Sequence, residues 1–161
     1  MKKTNAARIL DRLKISYELI EYEVDESDLS AVHLAATAGV PIEKVFKTLV
    51  LEGDKTGHFV CIVPGGDEID LKKAALASSN KKVAMIPMKE LEPLTGYIRG
   101  GCSPLGMKKK FPVYIDESAF DQAIIYISAG IRGMQIKLTP ADLVIACKAK
   151  KAEIALEKDK G

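Results

Sequence analysis

Histidine is scarce in this chain: 161 residues carry two, His33 and His58. His33 falls on a helix face and His58 opens a strand after a turn, positions more often occupied by surface or capping histidines than by catalysts. The three cysteines (Cys61, Cys102, Cys147) form no CxxC pair, and no Cys/His spacing fits a zinc site, so no metal is expected. Their odd number also fits poorly with a disulfide framework, and a reducing cytoplasm is the simplest setting. There is no GxSxG elbow, no GxGxxG and no GxxxxGK[ST]. Nothing therefore asks for an α/β-hydrolase triad, a dinucleotide, a P-loop phosphate cradle or any other cofactor. The pair Asp67 and Asp70 reads as helix-start chemistry.

Long apolar runs are also absent. The longest, around Ala123 to Ile131, is far below membrane-spanning length. The opening MKKTNAARILDRLKIS is broken by Asn5, Arg8, Asp11 and Arg12 and so lacks the apolar core of a signal peptide. Charge of one sign is missing too: 24 basic against 22 acidic residues leave a net +2. A domain that coats nucleic acid by charge alone would carry a clear basic excess, although local patches remain open. With 47% hydrophobic residues the chain can bury a sizeable core, and the expectation is one soluble, cytoplasmic domain over 1–161.

What is present is a series of short elements. Thr4 precedes Ala6, Ile9, Leu10 and Leu13 at helix-face spacing, which predicts a helix over 4–14. SYELIEYEV reads as a strand whose alternation slips between Leu19 and Ile20, predicting a bulge. The acids from Glu18 to Asp28 read as a solvated strand edge and loop. Ser30 caps AVHLAATA, Gly39 closes it, and Pro41 begins a helical turn. FKTLVLEG and HFVCIVP form a hairpin about Gly53 to Gly57. DLKKAALAS is a helix that offers Leu71, Ala74, Ala75 and Leu76 for packing. VAMIP, FPVYID, AIIYIS and MQIKL are strands, and PMKELEPL is a helical turn. Thr139-Pro140 starts a helix, and AEIAL forms a last strand. Six to eight short strands with four or five helices fit neither regular βαβ nor all-β order. The fold class is α+β, a mixed, curled, barrel-like sheet with short helices around it.

Two glycine-bearing turns stand out. TGYIRGGCSPLGMKKKFP, from Thr95 to Pro112, fits no helix or strand period and predicts a shaped loop with exposed backbone N–H groups. SAGIRGM, from Ser128 to Met134, follows an apolar strand. Lys47 shares a strand face with Leu49 and Leu51. Periodicity allows either a lysine snorkelling at a strand end or a partly desolvated cation poised for an anionic or polarised oxygen. Cys102 sits among glycines but has no sequence-adjacent histidine to activate it, so it reads first as a pocket wall. Lys108, Lys109 and Lys110 are either a phosphate contact or a solvated turn.

Three of these motifs, in order and with matching spacing, carry a resemblance. Lys47 in VFKTLV, TGYIRGGCSPLG at 95–106 and YISAGIRGMQIKL at 126–138 resemble the YbaK-type aminoacyl-tRNA deacylases. These include Cys-tRNA(Pro)/Cys-tRNA(Cys) deacylase and are related to the editing domain of prolyl-tRNA synthetases. The resemblance runs from KISYELIEY to AEIAL. It implies an enzyme editing in trans, because cysteine and proline have similar volumes and a second site must remove the mischarged product. It carries the family lysine to Lys47, the glycine of the GG loop to Gly100, the tyrosine to Tyr22 and the serine to Ser128. On physical grounds Gly101 joins Lys47 and Gly100 in the catalytic set, with backbone N–H groups around Gly100, Gly101 and Cys102 facing the ester carbonyl. Substrate contacts fall on Tyr22, Cys102, Ser128 and Gly130, and tRNA contacts on Lys81, Lys82, Lys108, Lys109 and Lys110. Gln135 stands where the family pattern often shows an acid. The implied chemistry is attack by the substrate's own cysteine thiol, leaving a thiolactone and free tRNA. The implied partners are the acceptor end of mischarged tRNA(Pro) and, transiently, prolyl-tRNA synthetase. An Ala-tRNA(Pro) hydrolase of the same family, or a non-catalytic adaptor for a tRNA end or the synthetase, are the alternatives.

Overall fold

The computed structural model describes residues 3–156. In chain order the elements are α1 (Asn5–Arg12), β1 (Glu18–Glu21), α2 (Ala31–Ala38), β2 (Phe46–Gly53), β3 (Gly57–Pro64), α3 (Leu71–Ser78), β4 (Val83–Met85), α4 (Leu91–Thr95), β5 (Val113–Asp116), β6 (Ile125–Ser128), β7 (Met134–Leu138), α5 (Pro140–Cys147) and β8 (Lys150–Ala152). Short 3-10 turns occupy Ile42–Lys44, Met88–Glu90 and Glu117–Asp121. Helix starts follow their caps: the side chains of Thr4, Ser30, Asp70 and Thr139 each accept a first-turn amide, satisfying donors that the helix itself cannot.

The α+β class holds, but the sheet is not one curled barrel. A three-stranded antiparallel sheet runs β1-β7-β6, and a five-stranded mixed sheet runs β4-β2-β3-β5-β8. They pack into a shared core, and among the described residues the β-bridge between them is the parallel one from Val45 to Tyr126. Closure would require β2 and β6 to continue that ladder. Instead the edge of β2 beyond Val45 stays unpaired until Val50 accepts the Ile86 amide and Leu51 pairs with Met85.

β3 explains the layering. Val60 and Ile62 enter a core shared with Leu10, Val50, Ile115, Ile127 and Ile136, while Phe59, Cys61 and Val63 enter a second core with Leu51, Ala74 and Ile154. A strand covered on both faces needs an uninterrupted apolar run, which HFVCIVP supplies. β2 splits in the same way, with Phe46 and Val50 facing the first core and Leu49 and Leu51 the second.

Several expectations shift locally. The first helix is Asn5–Arg12 rather than 4–14. β1 pairs one-to-one with β7 from Glu18–Lys137 to Glu21–Met134, so the phase slip at Leu19 and Ile20 produces no bulge; the strand simply ends at Glu21. Ala74 and Ala75 of α3 pack inward, whereas Leu71 and Leu76 are exposed, because a short helix over a sheet needs only small residues at its contact. The last strand is Lys150–Ala152, which takes in only the first residue of AEIAL; Ala155 contributes an isolated bridge to Ile69.

Buried Asp116 anchors this C-terminal segment. Its carboxylate accepts from the amides of Ile154 (3.0 Å), Ala155 (2.9 Å) and Ser118 (3.1 Å). Asp116→Ala leaves buried donors unsatisfied, at about 1–3 kcal/mol each. The expected loss is about 2–4 kcal/mol in urea unfolding, with Asp116→Asn recovering part of it. A variant as stable as the parent would contradict this account.

Candidate functional site

The strand registers bring the marked residues into one row. Ile20 pairs with Gln135, and Gln135 with Ser128, across the three-stranded sheet. The bridge sets Val45 beside Tyr126, and carrying that parallel register forward two residues sets Lys47 beside Ser128. The ladder stops before that pair can form. In the gap lies a cavity of about 390 Å³, within the range of small-ligand sites. Lys47, Gly100, Cys102, Ser128 and Gln135 all line it. Both glycine turns and the upstream lysine therefore converge as the sequence led one to expect.

Lys47 is half-buried, and its ammonium donates to the carbonyls of Asp67 (2.6 Å) and Gly65 (3.4 Å). These backbone acceptors fix the cation at the cavity wall. Gly65 is a residue that sequence reading missed. A Cβ there would fall 2.4 Å from the Ala31 Cβ, so only glycine lets α2 close against the hairpin. That packing makes Leu29, Ala31 and Leu34 a second wall, and Met85, Ile86, Met88 and Leu91 form another.

Gly100 and Gly101 play different parts. Gly100 has φ +83° and lies in contact with Leu29 and Arg132. Gly101 is a close-approach residue: a Cβ would fall 3.1 Å from backbone atoms of Ile131 and Arg132. The two turns thus pack main chain against main chain. The Gly101 amide donates to the Ile98 carbonyl at 2.9 Å, which engages it within its own turn. Among the described residues the amides of Gly100 and Cys102 have no acceptor, and both residues line the cavity. They, rather than Gly101, are the available backbone donors. Tyr97 braces both turns, its ring lying against Gly130 and its hydroxyl donating to the Leu105 carbonyl.

Ser128 accepts the Gly130 amide at 3.1 Å, so its hydroxyl is oriented by the second turn while its proton remains available to the cavity. Gly130 supports Ser128 and does not itself line the cavity. Tyr22 lines a smaller adjoining recess that shares Leu29, Ser30, Leu34 and Gly100 with the main one. Lys108, Lys109 and Lys110 are exposed and do not line the cavity. Lys81 and Lys82 lie at the far end of β2, where their amides hold the Asp54 carboxylate, roughly 20 Å along an extended strand from Lys47.

Among the described residues three buried side-chain atoms lack a hydrogen bond, one of them His58 Nε2, which lies 2.9 Å from the Glu52 carboxylate. The other two are Thr48 Oγ1 and Gln135 Oε1, and both of these residues line the cavity. A buried polar atom without a partner costs about 1–3 kcal/mol, so such atoms at a cavity mark places where a ligand supplies the missing bond. Thr48 left no signal in the sequence, since a threonine within FKTLVLEG reads as ordinary strand. Burial pushes the Cys102 thiol up to about 12, which removes the thiolate a nucleophile needs.

The model of the aminoacyl-tRNA editing domain matches residues 26–145. The chain belongs to that family. It is 49% identical over 153 residues to an Enterococcus faecalis protein named "Putative Cys-tRNA(Pro)/Cys-tRNA(Cys) deacylase EbsC", covering 95% of this chain and 93% of the relative. It is 29% identical over 121 residues to the uncharacterized protein YwhH of Bacillus subtilis, covering 75% and 76%. Among solved structures, one described as "a putative trans-editing enzyme for prolyl tRNA synthetase" superposes with a TM-score of 0.82 at 24% identity, over 97% of this chain and all of the other. The hypothetical protein APE2540 gives 0.84 at 19% identity, over 93% and 98%. These two structural likenesses establish the fold. Among the described residues no helix is long and apolar enough to cross a membrane, and no cluster of His, Cys, Asp and Glu could hold a metal.

Burial pushes Cys61 and Cys147, like Cys102, up to about 12. A raised thiol pKa keeps the neutral form, so at pH 8 the folded protein holds roughly a thousandfold less thiolate than free cysteine. Iodoacetamide at pH 8 is expected to label all three only after unfolding in urea, as read by intact mass. Rapid labelling of Cys102 in the folded protein would restore it as a nucleophile.

Proposed function

We propose that this chain is a trans-acting aminoacyl-tRNA deacylase that removes cysteine from mischarged tRNA(Pro), and that the same pocket accepts Cys-tRNA(Cys). The observation that carries this reading is a cavity rich in positioning groups and poor in nucleophiles. Lys47, the Gly100 and Cys102 amides, Ser128, Thr48 and Gln135 converge, yet among the described residues no histidine or carboxylate lines it, and the Cys102 thiol is held neutral. Such a site suits a substrate that brings its own nucleophile.

In this mechanism the substrate's cysteine sulfur attacks its own ester carbonyl. A C–S bond forms, the bond from the carbonyl carbon to the ribose oxygen breaks, and the thiol proton ends on that oxygen. The products are a β-thiolactone and tRNA with a free terminal hydroxyl. The Gly100 and Cys102 amides stabilise the negative charge that develops on the carbonyl oxygen. Lys47, fixed by the 65–67 turn, orients the ester and ribose. Gln135 Oε1 accepts from the substrate's α-ammonium, a task for which a neutral amide suffices. Tyr22 and Ser30 border the route into the adjoining recess. The acceptor end enters from the cavity mouth, and a transient complex with prolyl-tRNA synthetase delivers the tRNA, since the chain's near-balanced charge gives little grip on a whole tRNA.

Release of tRNA(Pro) from its cysteinyl and alanyl esters tests the proposal. The cysteinyl ester is expected to be cleared and the alanyl ester, lacking a thiol, to persist; the reverse order would indicate a water nucleophile and overturn the thiol mechanism. Lys47→Ala is expected to lower kcat/KM about a hundredfold while remaining folded, and full activity would remove the lysine from the site. Gln135→Leu removes an unsatisfied buried oxygen. It is expected to raise stability by about 1 kcal/mol while lowering kcat/KM about tenfold, a pairing that a purely structural glutamine would not give.

A further inference from the structure

The charge lining the cavity is one-sided. Among the described residues two cations, Lys47 and Arg99, contribute to it, and no aspartate or glutamate does. A cysteinyl ester has no anionic group near its reacting centre and carries a positive α-ammonium. The amino acid therefore does not account for this charge, and the remaining part of the substrate must.

The two cations are held differently. Lys47 lies on the carbonyls of Asp67 and Gly65. Arg99 is exposed, and among the described residues its guanidinium has neither a hydrogen bond nor an ion pair. Its backbone is fixed nonetheless, because Arg132 Nε donates to the Arg99 carbonyl at 2.8 Å. Arg132 is committed elsewhere, with Glu26 3.8 Å from its Nη1. Arg99 also directly precedes Gly100, one of the two backbone donors of the site. A ligand bonded to the Gly100 amide thus lies within reach of an arginine side chain on the adjacent residue.

We infer that Arg99 is a phosphate-binding residue that grips the 5′-phosphate of the terminal nucleotide, so that the cavity mouth recognises a nucleoside monophosphate. Guanidinium suits this task because its planar fork bonds two phosphate oxygens at once. Met85 and Met88, 43% and 58% exposed, line the same cavity and offer the base an apolar surface that free phosphate would not use. The lysines at 81, 82 and 108–110 do not line the cavity. The inference deepens the deacylase reading and rests on it for the identity of the nucleotide.

Calorimetric titration with adenosine and with adenosine 5′-monophosphate tests it without turnover. Wild-type protein at low salt is expected to bind the monophosphate about tenfold more tightly, as one charge-assisted hydrogen-bonded contact at an exposed site provides. Arg99→Ala is expected to erase the preference while leaving adenosine affinity in place, and Arg99→Lys to keep part of it. An Arg99→Ala protein with the wild-type ratio, or a wild-type protein with no preference, overturns the inference. Inorganic phosphate competing as well as the monophosphate would also overturn it, since it would mean a phosphate site with no nucleoside recognition. In parallel, Arg99→Ala is expected to raise KM for Cys-tRNA(Pro) far more than it lowers kcat. If wild-type protein releases no tRNA from any aminoacyl ester, the deacylase reading falls, whereas an Arg99-dependent preference for the monophosphate would still stand.

Discussion

Everything at the site depends on the backbone contact between Gly101 and the Ile131–Arg132 peptide. A side chain there would have to push them apart by a few tenths of an ångström, since a Cβ would fall 3.1 Å from main-chain atoms. This approach seats the first glycine turn on the second, and Gly100 and Cys102 line the cavity together with Ser128 and Gln135. Tyr97 closes the arrangement from behind, its hydroxyl on the Leu105 carbonyl and its ring against Gly130. Burial, with the nearby Cys102 adding to it, pushes this phenol up to about 12, so it stays a donor throughout the range in which the protein works.

Charge plays a smaller part than the lysine-rich sequence implies. Most ion pairs, such as Lys3–Asp11 and Lys73–Glu153, are at the surface, where their worth is small. Inside, polar bonding rests on backbone groups: the carbonyls under Lys47, the amides around Asp116 and the free donors at Gly100 and Cys102. A site assembled in this way is positioned by chain geometry, and its precision follows from glycines and tight turns.

Much of this was legible in the sequence, and the reason is physical. Caps at Ser30 and Thr139 and the stop at Gly39 are local signals, and the helices follow them. FKTLVLEG and HFVCIVP about Gly53 to Gly57 read as a hairpin, and β2 and β3 pair in that way. Lys47, Gly100 and Ser128, which the fold brings to one cavity, were singled out because glycine turns and a lysine among leucines break the surrounding periodicity. Thr48, Gly65 and Arg99 were not, because each looks ordinary until tertiary contacts give it a task. Sheet closure was misjudged for the same reason: strand count does not say which edges meet, and β2 and β6 part after one bridge. Gly101 was read as a donor, but its amide answers to Ile98 two positions beyond its immediate neighbour, a bond no spacing rule reveals.

That parting of β2 and β6 has a wider meaning. Between the bridge at Val45 and the pairing that begins at Val50, the outer edge of β2 faces the cavity with no strand beside it. The antiparallel alternation turns the main-chain groups of Thr48 to that side, since those of its neighbours Lys47 and Leu49 face β3. The cavity is therefore a missing rung in a sheet, and whatever binds there meets unsatisfied peptide groups as well as side chains. Recognition built on main chain is hard to erode by substitution, because exchanging a side chain leaves the peptide in place. A substitution around the gap changes the side chains that a ligand meets and leaves the Thr48 peptide groups where they are.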